Sequence, residues 1–343
     1  MDNTKKKSTG KRIALIIVCV VLALILLLMI AGSIWVNSVL NRLNRPEDVT
    51  LPDEEIENIL NETDPVEEDF TGEVVDPEDI QMPDAPADEI ETADHIINIL
   101  LIGQDRRENQ GRQRSDAMIL CTINTENKTL VMTSFLRDLY VPIPGHHNNR
   151  INAAYSEGGA ALLDRTLREN FDLHIDGNIE VDFSQFSQII DLLGGVQLEL
   201  REDEAAEINK ETGSGLSAGV QVLNGEQALT YARIRKLDAD GDFSRTSRQR
   251  KLMNALLGSY RNIKWKDLLP LIDELLPLIS TDMNYGRLVL LAMEILPKLS
   301  DAQITSQRIP ADGTFTDEKI DGMAVLSADL EANRQLLRET LLN

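Results

Sequence analysis

The sequence predicts an α/β domain, a central mixed β-sheet flanked by helices on both faces (α/β/α), preceded by one N-terminal transmembrane helix and an acidic linker. Three observations carry this. Apolar runs of strand length are interspersed with stretches of helical period along residues 95–343. Residues 13–36 (IALIIVCVVLALILLLMIAGSIWV) are 24 positions without a charge. Residues 46–95 hold 20 Asp and Glu and neither Lys nor Arg.

The N-terminal elements come first. At 1.5 Å per residue, the apolar run covers roughly 36 Å, enough to cross about 30 Å of hydrocarbon with some tilt. Lys5, Lys6, Lys7, Lys11 and Arg12 precede it. That basic flank keeps residues 1–12 cytoplasmic and sends the rest outward. A cleaved signal peptide is the rival reading, but the run exceeds a signal core and no small-x-small site follows it. The expected location is the cell membrane, single-pass, with residues 95–343 extracytoplasmic. Residues 37–94 read as a charged, extended spacer.

Folded structure is expected from His95. The runs IINILLIG (96–103), AMILCTI (117–123) and TLVMTSF (129–135) read as strands, and NTENK (124–128) as a hairpin loop. ALLDRTLREN (161–170) and FSQFSQIIDLL (183–193) have helical period, the second ended by Gly194 and Gly195. VQLEL (196–200) alternates as a half-buried strand. QALTYARIR (227–235) is expected to end as a strand, and SRTSRQRKLMNALLGSY (244–260) to be a helix. Residues 267–279, 285–296 and 326–342 supply three later helices. Cys121 is the one cysteine outside the apolar run, Cys19 lying within it, so no disulfide staples the domain.

The charge is unevenly spread. The formal total is −23, and −20 of it belongs to residues 46–95. Within 231–265 there are nine basic and three acidic residues. A local positive excess in a negative chain suggests an anion site, against the plainer reading of a solvated helix face. On a strand, Tyr231, Arg233 and Arg235 would share one face. On the following helix, Arg245, Arg248 or Gln249, Leu252 and Leu256 form one stripe. Its charged first turn lies at a helix N-terminus, where anions are favoured. Asp242, between the two, either caps the helix or accepts a proton; position leaves both open.

Two further groups could carry chemistry. Asp105 follows the first strand and Asp116 opens the second, and strand ends of an open α/β sheet are where ligands gather. Together they suit Mg²⁺ completed by water and phosphate, or they are loop aspartates in turns and ion pairs. Arg137 follows the third strand and needs an anionic partner, either Asp138 or a substrate phosphate. His95, His146, His147 and His174 have no metal-ligand spacing, and neither HExxH nor GxSxG occurs. A zinc protease or serine hydrolase finds no support. The negative domain and the lack of a helix-turn-helix pattern argue against nucleic acid as a partner.

Seven segments, in this order, resemble the LytR–CpsA–Psr family of bacterial cell-envelope proteins. They are NILLIGQDRR (98–107), RSDAMILCTIN (114–124), SFLRDLYVPIPG (134–145), RINAAYSEGG (150–159), VDFSQFSQIIDLLGGV (181–196), LNGEQALTYARIRK (223–236) and GDFSRTSRQRKL (241–252). Ala117 stands where Thr is common in the family, and Leu136 where Pro is common. The resemblance implies a Mg²⁺-dependent phosphotransferase. It would move a glycopolymer, of wall teichoic acid or capsular type, from a polyprenyl-pyrophosphate carrier to peptidoglycan. It implies that Asp105 and Asp116 hold Mg²⁺, that Arg137, Arg233, Arg235, Arg245 and Gln249 bind the pyrophosphate, and that Asp242 orients or deprotonates the acceptor hydroxyl. Arg137 and Arg235 would share in catalysis. The polyprenyl tail needs an apolar groove, for which 161–170 and 183–193 are the candidates. A pyrophosphate hydrolase or a non-catalytic binder of the same lipid-linked glycans would use the same arginines.

Overall fold

The computed structural model describes residues 73–76, 95–106, 112–238, 242–260, 265–299 and 302–342. The expected tail (1–12) and span (13–36) lie outside these residues, as does all of 37–94 except 73–76. Among the described residues no helix is long and apolar enough to cross a membrane.

The described elements begin with β1 (Glu73–Val75), β2 (Ile96–Gln104), β3 (Ser115–Asn124), β4 (Thr129–Phe135), β5 (Tyr140–Val141), β6 (Asn149–Arg150) and α1 (Ile151–Phe171). It continues through β7 (Gly177–Asp182), α2 (Phe183–Leu192), β8 (Val196–Leu200), α3 (Glu202–Thr212), β9 (Gly219–Leu223) and α4 (Gly225–Arg233). Then come α5 (Asp242–Tyr260), α6 (Trp265–Leu275), a 3₁₀ turn (Leu276–Leu278) and α7 (Tyr285–Leu299). It closes with β10 (Gln303–Ile309), β11 (Phe315–Ile320), β12 (Met323–Ala328) and α8 (Leu330–Leu342).

The central sheet has the order β10-β4-β3-β2-β7, and it is mixed as expected. β3 runs antiparallel to both β2 and β4, while β10 and β7 are parallel to β4 and β2. Four strands therefore point their carboxyl ends at one rim, and β3 starts there. Side chains alternate across the sheet. Leu100, Ile102, Met118 and Leu120 pack with α1 and α8 on one face. Ile97, Ile99 and Ile123 pack with Leu257 of α5 and Leu291 of α7 on the other. A smaller core joins the β8–β9 hairpin to α2, α3, α4 and α5 through Ile190, Val196, Ile208, Leu223, Tyr231 and Leu252.

Two of the expected elements take another form. Residues 225–233 form the helix α4, where a strand was expected at the end of 227–235. Asn224 caps it: its side chain accepts from Gln227 N (2.9 Å), and the Gln227 side chain accepts from Asn224 N (3.0 Å). This reciprocal box satisfies two orphan donors and overrides the local apolar–polar alternation. Tyr231 consequently faces the core at 0% exposure and does not share a face with Arg233. Residues 323–328 form β12, so the last helix begins only at Leu330. Asp321 and Gly322, both at positive φ (49° and 82°), turn β11 into β12, a left-handed pair that Asp-Gly adopts readily. Glu73–Val75, inside the acidic segment, lies parallel to β11.

The approach of α2 to α4 is set by Gly225. A Cβ there would sit 2.1 Å from the Ser187 carbonyl oxygen. Gly225→Ala should therefore destabilise the fold by about 1–3 kcal/mol through overpacking. Gly215→Ala, with nothing within 4 Å of its Cβ position, should be near neutral. Denaturant unfolding of the two variants checks this.

Candidate functional site

At the carboxyl-end rim lies a cavity of about 1160 Å³, bounded by the sheet and by α2, α4, α5 and α6. Its two ends differ in chemistry. Asp105, Asp116, Arg137, Arg233, Arg235, Arg245 and Gln249 all line it at the polar end. Ile179 and Val181 of β7, Phe186 and Ile189 of α2, and Leu252 and Leu256 of α5 line the apolar remainder.

Asp116 reaches this cavity because of a bulge. Gly103 pairs with Ala117 and Gln104 with Ser115, which leaves Asp116 without a cross-strand partner. The extra residue breaks the alternation, so Asp116 and Ala117 both line the cavity. Three guanidinium groups surround the carboxylate. Arg137 Nη1 donates to Asp116 Oδ1 at 3.1 Å, while Arg235 Nη2 and Arg245 Nη1 lie 3.7 and 3.8 Å from the same oxygen. Arg245 also approaches the Asp116 carbonyl at 3.4 Å and is 2% exposed. Burial alone would raise the Asp116 carboxyl. The charges of Arg245, Arg137 and Arg235, with the Arg137 hydrogen bond, outweigh it and hold the carboxyl below the ordinary range.

The other expected site residues fall as follows. Arg233 Nη2 lies 3.7 Å from Asp105 Oδ2, and its guanidinium stacks 4.5 Å from the centre of the Phe183 ring. Of its two candidate partners Arg137 meets Asp138, its Nε lying 3.5 Å from Asp138 Oδ2, and it meets Asp116 as well. Asp242 opens α5, three residues before Arg245 and seven before Gln249; its side chain lies outside the described residues. Asp105 and Asp116 both reach the cavity. Each already has an arginine partner, and two carboxylates would suit Mg²⁺ only with phosphate oxygens completing the shell. No group of three or more His, Cys, Asp or Glu among the described residues makes a protein-only cage.

Three placements correct or extend the reading. Of the two segments proposed for an apolar groove, 183–193 lines the cavity, while Leu163 and Leu167 of 161–170 pack into the core on the opposite face of the sheet. Arg248 does not belong to the site: it is 4% exposed and pairs with Glu204 (2.9 Å) and Asp238. Arg150 was missed. It lines the cavity, is 4% exposed, donates to the Ala324 carbonyl (2.9 Å) and lies 3.5 Å from Asp138. Its signal was present, an arginine opening the apolar segment RINAAY, where burial demands an anionic partner.

The LytR_cpsA_psr family model matches residues 56–340. The chain is 35% identical over 174 residues to polyisoprenyl-teichoic acid–peptidoglycan teichoic acid transferase TagT of Bacillus subtilis, covering 49% of this chain and 53% of that protein. The chain thus spans about half the length of that relative. It is 30% identical over 253 residues to regulatory protein MsrR of Staphylococcus aureus, covering 72% of this chain and 75% of that one. Among solved structures, YwtF (TagT) with bound octaprenyl pyrophosphate lipid aligns with a TM-score of 0.58 at 25% identity, over 76% of this chain and 98% of that one.

Replacing Asp116 by Asn should remove the carboxylate charge that three arginines share and cost about 1.5–3 kcal/mol at neutral pH. Because the folded carboxyl is depressed, its stabilisation is fully present above the ordinary value of 3.8 and lost as pH falls through the folded value. The stability gap between wild type and Asp116→Asn, followed by urea unfolding from pH 7 downward, should therefore close only in strong acid.

Proposed function

The chain belongs to the LytR–CpsA–Psr family, and from that premise we propose that it is a phosphotransferase moving an anionic glycopolymer from a polyprenyl-pyrophosphate carrier to peptidoglycan. One observation carries the reading: a single cavity joins a guanidinium cluster to a long apolar interior. A polyprenyl pyrophosphate has that division of chemistry. The transferase name of TagT and the octaprenyl pyrophosphate in a TagT structure support the same substrate class.

Phosphoryl transfer chiefly requires charge neutralisation and alignment. Arg137, Arg235 and Arg245 already converge on one oxygen of Asp116, so they are positioned for the oxygens of a pyrophosphate before it arrives. Guanidinium forks match those oxygens in pairs. Arg233, stacked on Phe183, and Gln249 extend the grip. Asp105 and Asp116 are the residues that would hold Mg²⁺, which would neutralise charge developing on the bridging oxygen. The acceptor hydroxyl attacks the phosphorus that bears the glycan. A new phosphodiester forms, the bond to the lipid phosphate breaks, and polyprenyl monophosphate leaves. Asp242, at the start of the helix that carries Arg245 and Gln249, takes or orients the hydroxyl proton. The tail occupies the apolar interior against α2 and α5. The domain 95–343 works outside the cell membrane, tethered by the single span 13–36 through the acidic linker 37–94, with residues 1–12 inside.

With lipid-linked substrate, Mg²⁺ and peptidoglycan strands, the protein should release polyprenyl monophosphate and label the glycan in equal amounts. Arg235→Ala should lower both by about 10²–10³-fold, and a chelator should lower both together. Lipid phosphate released without label on the glycan would show a hydrolase.

A further inference from the structure

A second cavity, of about 430 Å³, lies between α1 and the edge strand β7. Alternation along β7 places it on the opposite face from the first: Asn178 lines the second cavity, Ile179 and Val181 the first. Its base is formed by Asn178 and Asp164, beside the exposed Asp282, whose Oδ1 accepts from Asn178 N (2.9 Å). Asn178 is 2% exposed, yet among the described residues its Oδ1 has no hydrogen-bond partner, and neither has Asp164 Oδ1. A buried acceptor without a donor costs about 1–3 kcal/mol, so this floor is built for a ligand that donates.

The rim has the opposite character. The helix α1 is interrupted at Gly158 and Gly159, the latter at φ 66° and ψ −161°. A new helical run starts at Ala160, and its first residues line the cavity. Arg112 lies across the break, with its guanidinium carbon 2.9 Å from where a Gly159 Cβ would be. A helix start beside an arginine favours an anion. Arg165 and Arg168 complete the rim.

We infer that this cavity binds a small zwitterion, its ammonium group donating to Asn178 Oδ1, Asp164 and Asp282 and its carboxylate lying at Arg112 beside Gly159. An ammonium offers three donors and no acceptor, matching the side-chain oxygens of Asn178, Asp164 and Asp282. Burial, with Asp282 and Glu180 nearby, pushes the Asp164 carboxyl up to about 7 against the charge of Arg168 and a hydrogen bond from Asn178, and a further cation would favour its ionised form. A metal is a poorer fit, since the described residues contain no trio of ligating side chains. A free amino acid and the amine- and carboxylate-bearing part of a wall peptide share this chemistry.

The test is calorimetric titration of the full chain in detergent with alanine, ethylamine, acetate and a soluble muropeptide. Alanine or the muropeptide should bind, whichever is tighter naming the source; ethylamine should bind more weakly and acetate not at all. Asn178→Leu and Arg112→Ala should each weaken zwitterion binding by about tenfold while polyprenyl-pyrophosphate binding in the first cavity is unchanged. That second titration shows the variants are folded and separates this site from the proposed transferase site. Absence of binding by both zwitterions, acetate binding as well as alanine, or unchanged affinity in both variants would overturn the inference.

Discussion

One carboxylate organises the polar end of the cavity. Asp116 stands within 4 Å of three guanidinium groups from three separate segments. Arg137 follows a sheet strand, Arg235 follows α4, and Arg245 lies in the first turn of α5. Buried arginines are tolerated only when compensated, so this ion cluster ties the smaller helical core to the rim of the sheet. It depends in turn on a single inserted residue. Without the bulge beside Gly103, alternation would point Asp116 at the face that packs against α1. The sheet irregularity is therefore what gives the site its charge balance.

The rest of the cavity follows from what the helices leave unfilled. Protein interiors are close-packed, and this cavity is an exception whose walls come from α2, α4, α5, α6 and one face of β7. A long apolar ligand with an anionic head would meet apolar contact and charge pairing in one binding event. Arg248 shows the contrast. It lies three residues from Arg245 on the same helix, but Glu204 and Asp238 pair with it inside the smaller core, and it serves the fold.

Much of this was legible in the residues. The strands 96–104 and 129–135 announce themselves as apolar runs, and the helices 183–192 and 242–260 as stripes of helical period. Arg233, Arg235 and Arg245 were legible as a charge excess, Arg137 as an arginine following an apolar strand, and Asp105 and Asp116 as carboxylates at strand ends. The route to it was misread at 227–235, where alternation in LTYARIR imitates a strand while the capping box Asn224–Gln227 starts a helix. β10 was missed because its sequence QITSQRI is mostly polar, as suits a sheet edge. The β11–β12 hairpin was missed because its Asp321–Gly322 turn sits inside a stretch that also reads as helical. The bulge at Asp116 and the separate fates of Arg245 and Arg248 depend on long-range pairing, which local pattern does not carry.

The central claim is that one cavity takes both the head and the tail of a polyprenyl pyrophosphate. The most direct measurement is affinity for inorganic pyrophosphate and for prenyl pyrophosphates of increasing length, in wild type and in Ile189→Trp, which fills the apolar end. Affinity should rise with chain length in the wild type. In Ile189→Trp that gain should vanish while inorganic pyrophosphate binds as before. Affinity that ignores chain length, or a gain that survives the tryptophan, would contradict the account.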